Sequence, residues 1–85
     1  MNKEKMFIAR DENNRDVAFE MLYVKNVDDK PIIWYTDGTL DDEGKKNIYI
    51  STYQRSGNTF LLSPIENDDL MQKYAEIFIN EYKEN

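Results

Sequence analysis

The stretch from Phe60 to Tyr82, FLLSPIENDDLMQKYAEIFINEY, constrains this chain more than any other. Phe60-Leu61-Leu62 reads as a buried strand, and Pro64 stops it, having no N–H to give a ladder. Asn67 is a natural N-cap, and Asp68 and Asp69 place carboxylates at the positive pole of a helix. Leu70, Tyr74, Ile77 and Phe78 then recur at helical spacing, with Met71, Ala75 and Tyr82 widening the stripe and Glu76, Asn80 and Lys83 on the wet side. A strand, a break and an amphipathic helix in that order predict a helix that closes over a sheet. They predict no chemistry.

Upstream, the pattern is one of strands and turns. Met6 to Arg10 is short and rich in strand formers, and Asp11-Glu12-Asn13-Asn14 breaks it. From Val17 to Val24 the residues alternate, with Val17, Phe19, Met21 and Tyr23 on one face; Met6 and Ile8 are expected beside them. A helix over 15–25 is the competing reading, because Ala, Glu, Met and Leu all favour helix. Val27-Asp28-Asp29-Lys30 is a turn, and Pro31 opens the run Ile32-Ile33-Trp34-Tyr35. Thr36 to Asn47 is the longest polar stretch and reads as a loop. Ile48 to Tyr53 is a strand, Arg55-Ser56-Gly57-Asn58 a hairpin turn, and Thr59 to Leu62 the last strand.

The expected fold is therefore α+β: a mostly antiparallel sheet of four to five strands with one C-terminal helix packed on one face. The boundaries are strands at about 5–10, 16–25, 31–36, 47–53 and 59–63 and a helix at about 67–82, all in a single small domain over 1–85. Eighty-five residues lie near the lower limit for unaided folding, and the chain has no cysteine to staple it. Four Phe, six Tyr and one Trp must supply the core.

The order of segments from Met6 to about Asn80 resembles the YrzB-like family of small acidic bacterial proteins, a domain of unknown function. The resemblance is carried by MFIARDENNRDVAFEML, by PIIWYTD followed by the acidic TLDDEGKK and NIYISTYQ, and by FLLSPIENDDLMQKYAEIF. The segments are weak singly and more specific as an ordered set. Lys45 and Lys46 interrupt the central acidic loop, and Leu70-Met71 stand where that family commonly has a Trp. These departures fit a diverged or phage-borne relative. The resemblance implies a fold and carries over no catalytic residue.

The absence of histidine removes the usual acid/base group near neutral pH and the commonest metal ligand, and the absence of cysteine removes thiolate sites. Ser51, Ser56 and Ser63 have no base, and the glycines form no phosphate loop. The acidic run Asp37 to Gly44 misses the alternating ligand spacing of a calcium loop. The pairs Asp41/Asp42 and Asp68/Asp69 lack a pocket to shift their pKa values. The reading is a non-enzyme with no cofactor and no metal.

The formal charge is −6, and most acids fall in turns. Such a field repels nucleic acid and attracts basic proteins. The expected function is a protein-binding module for a partner with a basic surface, in its concrete form an inhibitor that mimics nucleic acid, as anti-CRISPR proteins do as a class. The expected contacts are Asp28, Asp29, Asp37, Asp41, Asp42 and Glu43, with Trp34 and Tyr35 as anchors; alternation puts these two on opposite faces, and if the helix covers one face the other exposes aromatics. The alternatives are that the aromatics only fill a thin core, and that the protein is a housekeeping or regulatory one whose acidity serves solubility. An exposed sheet edge would allow a weak homodimer, so the expected state is monomer or weak homodimer. MNKEKMF has no apolar run of signal-peptide length, and no segment approaches a membrane span, so the expected location is the cytoplasm without membrane contact.

Overall fold

The computed structural model describes residues 5–10, 13 and 15–82. Five strands come first: β1 (Met6–Arg10), β2 (Asp16–Val27), β3 (Lys30–Leu40), β4 (Lys46–Ser56) and β5 (Thr59–Pro64). A single helix follows, α1 (Asp68–Glu81). Each strand pairs antiparallel with the next, and β1 pairs parallel with β5, which closes the sheet into a barrel. The fold is thus α+β, with the sheet rolled up on itself. The expected break at 11–14 falls largely on Asp11, Glu12 and Asn14, which lie outside the described residues.

β3 is the axis of the molecule because both of its faces are buried. Ile33 and Tyr35 point into the barrel, where they meet Phe7, Ala9 and Phe60, with Phe19, Met21, Tyr53 and Leu62 around them. Ile32 and Trp34 point outward, beneath the helix, and join Val27 and Tyr74. A strand covered on both sides carries a continuous apolar run, which is what Ile32-Ile33-Trp34-Tyr35 is. Inside the barrel the rings pack edge to face, Phe19 against Tyr35 at 4.8 Å and Phe7 against Tyr35 at 6.0 Å. The hydroxyls of Tyr35 and Ser51 share a 2.9 Å hydrogen bond there, so neither buried oxygen is left unpaired.

Two expected faces are reversed. Phe7 pairs with Phe19 and Ala9 with Val17, so Phe7 and Ala9 face inward while Met6 and Ile8 remain 51% and 42% exposed. In β2, Met21 pairs with Tyr35 but Tyr23 pairs with Trp34, leaving Leu22 as an extra residue. This bulge breaks the two-residue repeat and moves Tyr23 from the barrel interior to the helix side.

The helix begins as its sequence dictates. The Asn67 side chain accepts the Leu70 N–H at 3.0 Å, and Asp68 and Asp69 occupy the first turn. Trp34 donates from Nε1 to the Tyr74 carbonyl at 3.0 Å, a buried bond that fixes the helix over β3. Lys73 reaches Asp28 at 2.6 Å, tying the helix to the β2–β3 turn. At the other end Glu81 accepts from Lys25 Nζ at 2.7 and 2.8 Å and from the Tyr23 hydroxyl at 2.6 Å. The helix therefore runs across the strands and ends over β2. Among the described residues no helix is long and apolar enough to cross a membrane.

Candidate functional site

The polar stretch from Thr36 to Asn47 is a β-hairpin rather than a loop. β3 continues to Leu40 and β4 starts at Lys46. Thr36 pairs with Ile48 and Leu40 with Lys46, so Asp37-Gly38-Thr39 bulge opposite Asn47 alone. Gly38 sits at φ +87°, a conformation that side chains resist and glycine accepts. Asp37 holds the bulge: its Oδ1 accepts from the Thr39 N–H at 3.0 Å and the Thr39 hydroxyl at 2.6 Å, and its Oδ2 from the Tyr49 hydroxyl at 3.2 Å. Asp41 holds the tip, where Oδ1 accepts from the Glu43 and Lys45 N–H groups, each at 2.9 Å. These bonds favour the ionised forms. The Thr39 hydroxyl first of all keeps the Asp37 carboxyl below its ordinary range, and the Lys45 N–H does the same for Asp41.

The eight expected contact residues therefore separate into groups. Asp37 and Asp41 organise backbone. Asp42 and Glu43 stand exposed at the hairpin tip, with Lys45 Nζ 3.9 Å from Glu43. Asp28 and Asp29 form the two-residue β2–β3 turn at the opposite end of β3, both with positive φ (53° and 67°). Asp28 is engaged by Lys73, whose ammonium lowers its pKa. At about 3.3 Å per strand residue, the eleven residues of β3 keep the two acidic groups well apart.

The two expected anchors are not on the surface. Trp34 is fully buried under the helix and Tyr35 is 8% exposed inside the barrel. An open aromatic sheet face was expected from a flat sheet with one covered side. Closure into a barrel hides the second side, so Trp34 and Tyr35 are core residues. Of the strand aromatics Tyr49 keeps most exposure, at 40%, beside Tyr35 and Asp37.

What the surface offers instead is an apolar groove between the β3–β4 hairpin and the last helical turn. It has a volume of about 570 Å³ and is lined by the apolar Leu22, Leu40, Ile48, Phe78 and Tyr82 together with Asp41, Gly44, Lys45 and Lys46. Leu40 is 60% exposed and Ile48 is 43% exposed. One wall is an aromatic stack that leaves the core: Trp34 on Phe78 at 6.2 Å and 19°, then Phe78 on Tyr82 at 4.5 Å and 13°. Glu81, clamped to Lys25 and Tyr23, holds that wall in place. The Lys25 ammonium, and then the Tyr23 hydroxyl, keep its carboxyl below the ordinary range.

The sequence marks Phe78 and Tyr82 for the helix stripe and Asp41, Lys45 and Lys46 in the acidic stretch, but does not bring them together, since the groove draws on β2, β3, β4 and α1. Leu40, an isolated apolar residue inside a polar stretch, was the one local signal. Among the described residues, no three acidic side chains converge as a metal would require.

The class defined by this geometry is a small meander barrel of five strands, closed by a parallel pair and crossed on its outer face by one helix. No family model, curated protein or solved structure matches the chain.

Proposed function

We propose that this protein is a non-enzymatic binding module for a partner protein with a basic surface, and that the β3–β4 hairpin end is the contact. The observation that carries this reading is the juxtaposition at that end of exposed carboxylates, Asp42 and Glu43, with an apolar groove floored by Leu40 and Ile48. Interfaces commonly combine an apolar centre with a charged rim, and the rim charges set partner choice and encounter rate. The net charge of −6 supports the same sign of partner. Proteins that bind nucleic acid are the natural class with such surfaces, and an inhibitor that occupies phosphate subsites is the concrete form of the proposal. Asp42 and Glu43 are the residues of that form, because Asp37 and Asp41 are committed to the hairpin backbone. Kinship with the YrzB-like family belongs to the proposal too, on the ordered segments that carry the resemblance, and adds no role for any residue.

A second reading has its own support. Asp28, Asp37 and Asp41 all serve turns or ion pairs within the chain, so part of the acidity has a structural use and the remainder would serve solubility. Capture from a host lysate at low and high salt, with wild type and with Asp42→Asn/Glu43→Gln, separates the two. The proposal expects a nucleic-acid-binding protein that is retained at low salt, released at high salt, and lost with the double variant at unchanged circular dichroism. Retention that ignores both salt and the double variant would sink the charge reading.

A further inference from the structure

We propose that Asp37–Gly38, in the bulge of the β3–β4 hairpin, is a site of backbone isomerisation to isoaspartate, held in check by the bulge's own hydrogen bonds while the chain is folded. The modification needs no enzyme and no cofactor, and it is independent of what the hairpin end contacts.

The sequence offers the reaction at one place. Ring closure joins a side-chain carboxyl to the next backbone nitrogen, and a following residue without Cβ hinders it least. The three glycines follow Asp37, Glu43 and Ser56. Glu43 would have to close a six-membered ring, which forms more slowly, and Ser56 has no carboxyl. No asparagine precedes a glycine. Around Gly38 the fold leaves room for the ring and for water: no atom lies within 4 Å of the position a Cβ would take, and Asp37 is exposed.

The step balances with no added reactant but water. The Asp37 carboxyl takes a proton from solvent, and the Gly38 nitrogen bonds to Cγ. One carboxyl oxygen leaves as water, carrying away the amide proton, and a five-membered imide remains. Water then adds to the imide. Breaking the bond from nitrogen to Cγ restores aspartate. Breaking the bond from nitrogen to the α-carbonyl leaves isoaspartate, with one more carbon in the main chain, and the new α-carboxyl returns the proton to solvent.

The fold opposes each part of that step. The Gly38 N–H donates to Thr36 Oγ1 at 3.1 Å, and Thr36 is fully buried, so the attacking nitrogen is tied to the barrel. Asp37 Oδ1 accepts from the Thr39 hydroxyl at 2.6 Å and the Thr39 N–H at 3.0 Å, and Oδ2 from the Tyr49 hydroxyl at 3.2 Å. Whichever oxygen is to leave as water must first shed its donors. The same bonds, the Thr39 hydroxyl most strongly, favour the unreactive carboxylate over the acid. The pairs Thr36 with Ile48 and Leu40 with Lys46 restrain the backbone on either side. Isoaspartate at position 37 would lengthen β3 between those pairs and withdraw the acceptor from Thr39 and Tyr49, so the modified hairpin loses the bonds that hold its bulge.

The full chain is aged at neutral pH, in buffer and in guanidinium chloride, as wild type and as the variants Thr39→Ala and Tyr49→Phe. Isoaspartate is counted by methyl transfer from labelled S-adenosylmethionine with an isoaspartyl methyltransferase, and located by peptide mapping. The unfolded wild type should form it at position 37 at least about tenfold faster than the folded chain, the factor that one bond to a charged group sets on a local opening. In buffer, Thr39→Ala should speed its formation about three- to tenfold and Tyr49→Phe about threefold, at unchanged circular dichroism. Equal rates in the folded and unfolded chain would overturn the proposal. So would isoaspartate that arises first at another residue, or variants that keep the wild-type rate. If Thr39→Ala loses its fold, Tyr49→Phe, which keeps its ring, decides alone.

Discussion

Trp34 and Tyr35 are adjacent in sequence, yet their rings lie in different cores, one under the helix and one within the barrel. Each carries a polar atom that the fold has to satisfy: Trp34 Nε1 meets the Tyr74 carbonyl and the Tyr35 hydroxyl meets Ser51. Burial is the main cause that raises the Tyr35 pKa, with the Ser51 bond acting against it, so the phenol stays neutral and can share its proton. Tyr35→Phe leaves the Ser51 hydroxyl buried without its partner. That variant should lose about 1–2 kcal/mol in denaturant titration, and Tyr35→Phe/Ser51→Ala should recover part of the loss because both polar atoms are then gone. Full additivity of the two single changes would show that the bond contributes nothing beyond the separate side chains. At this scale the sequence was legible in residue type and silent on environment. The run Ile32 to Tyr35 announced burial, but only closure of the sheet decided that both faces were covered. Tyr23 defied alternation because a bulge at Leu22 carries no sequence pattern of its own. In β1 all of Met6 to Ala9 are apolar, so nothing in them told the inner pair from the outer.

Among elements, the helix was the most readable. Its cap, its acidic first turn and its stripe at Leu70, Tyr74, Ile77 and Phe78 all lie where spacing put them. The two-residue turns at Asp28-Asp29 and Gly57-Asn58 were also plain, because Asp, Asn and Gly accept the dihedrals that tight hairpins need. The β3–β4 hairpin was hidden by its polarity. Its strands are stabilised by Asp37 and Asp41 accepting backbone N–H groups, a form of order that hydropathy does not register. The end of α1 depends on one carboxylate. Glu81 sits at the pole where a negative charge is unfavourable, and Lys25 and Tyr23 compensate it. Its folded pKa is depressed below the ordinary 4.5. Its stabilising contribution is therefore fully present above that value and is lost as pH falls through the lower, folded one. Lys25 is raised by the same bond, so on the alkaline side the contribution persists until the ammonium deprotonates. Melting curves of wild type and Glu81→Gln should differ most between those limits and converge in strong acid. A constant difference at every pH would mean that packing, not charge, anchors the last turn.

For the whole molecule, an odd number of strands in an up-and-down order forces the closing pair to be parallel, which the β1–β5 register shows. Closure pairs residues 8–10 of β1 with 59–61 of β5, so neither terminal strand offers a full-length free edge. The edge-to-edge dimer that a flat sheet would allow is thereby disfavoured, and sedimentation velocity should give a monomer across concentrations. A mass-action dimer in that experiment would require another surface, and Leu40→Ser would then show whether the groove is shared. Barrel closure was not legible in the sequence, because strand count and turn lengths fit an open sheet equally well. The aromatic stack has one more consequence. Trp34 is the sole indole in the chain, shielded from water and hydrogen-bonded, and Phe78 and Tyr82 link it to the groove wall. Its fluorescence should be blue-shifted at rest and fed by energy transfer from the six tyrosines. Anything that moves the last helical turn alters the colour or yield of that emission, so the protein carries an unlabelled optical gauge of its own groove.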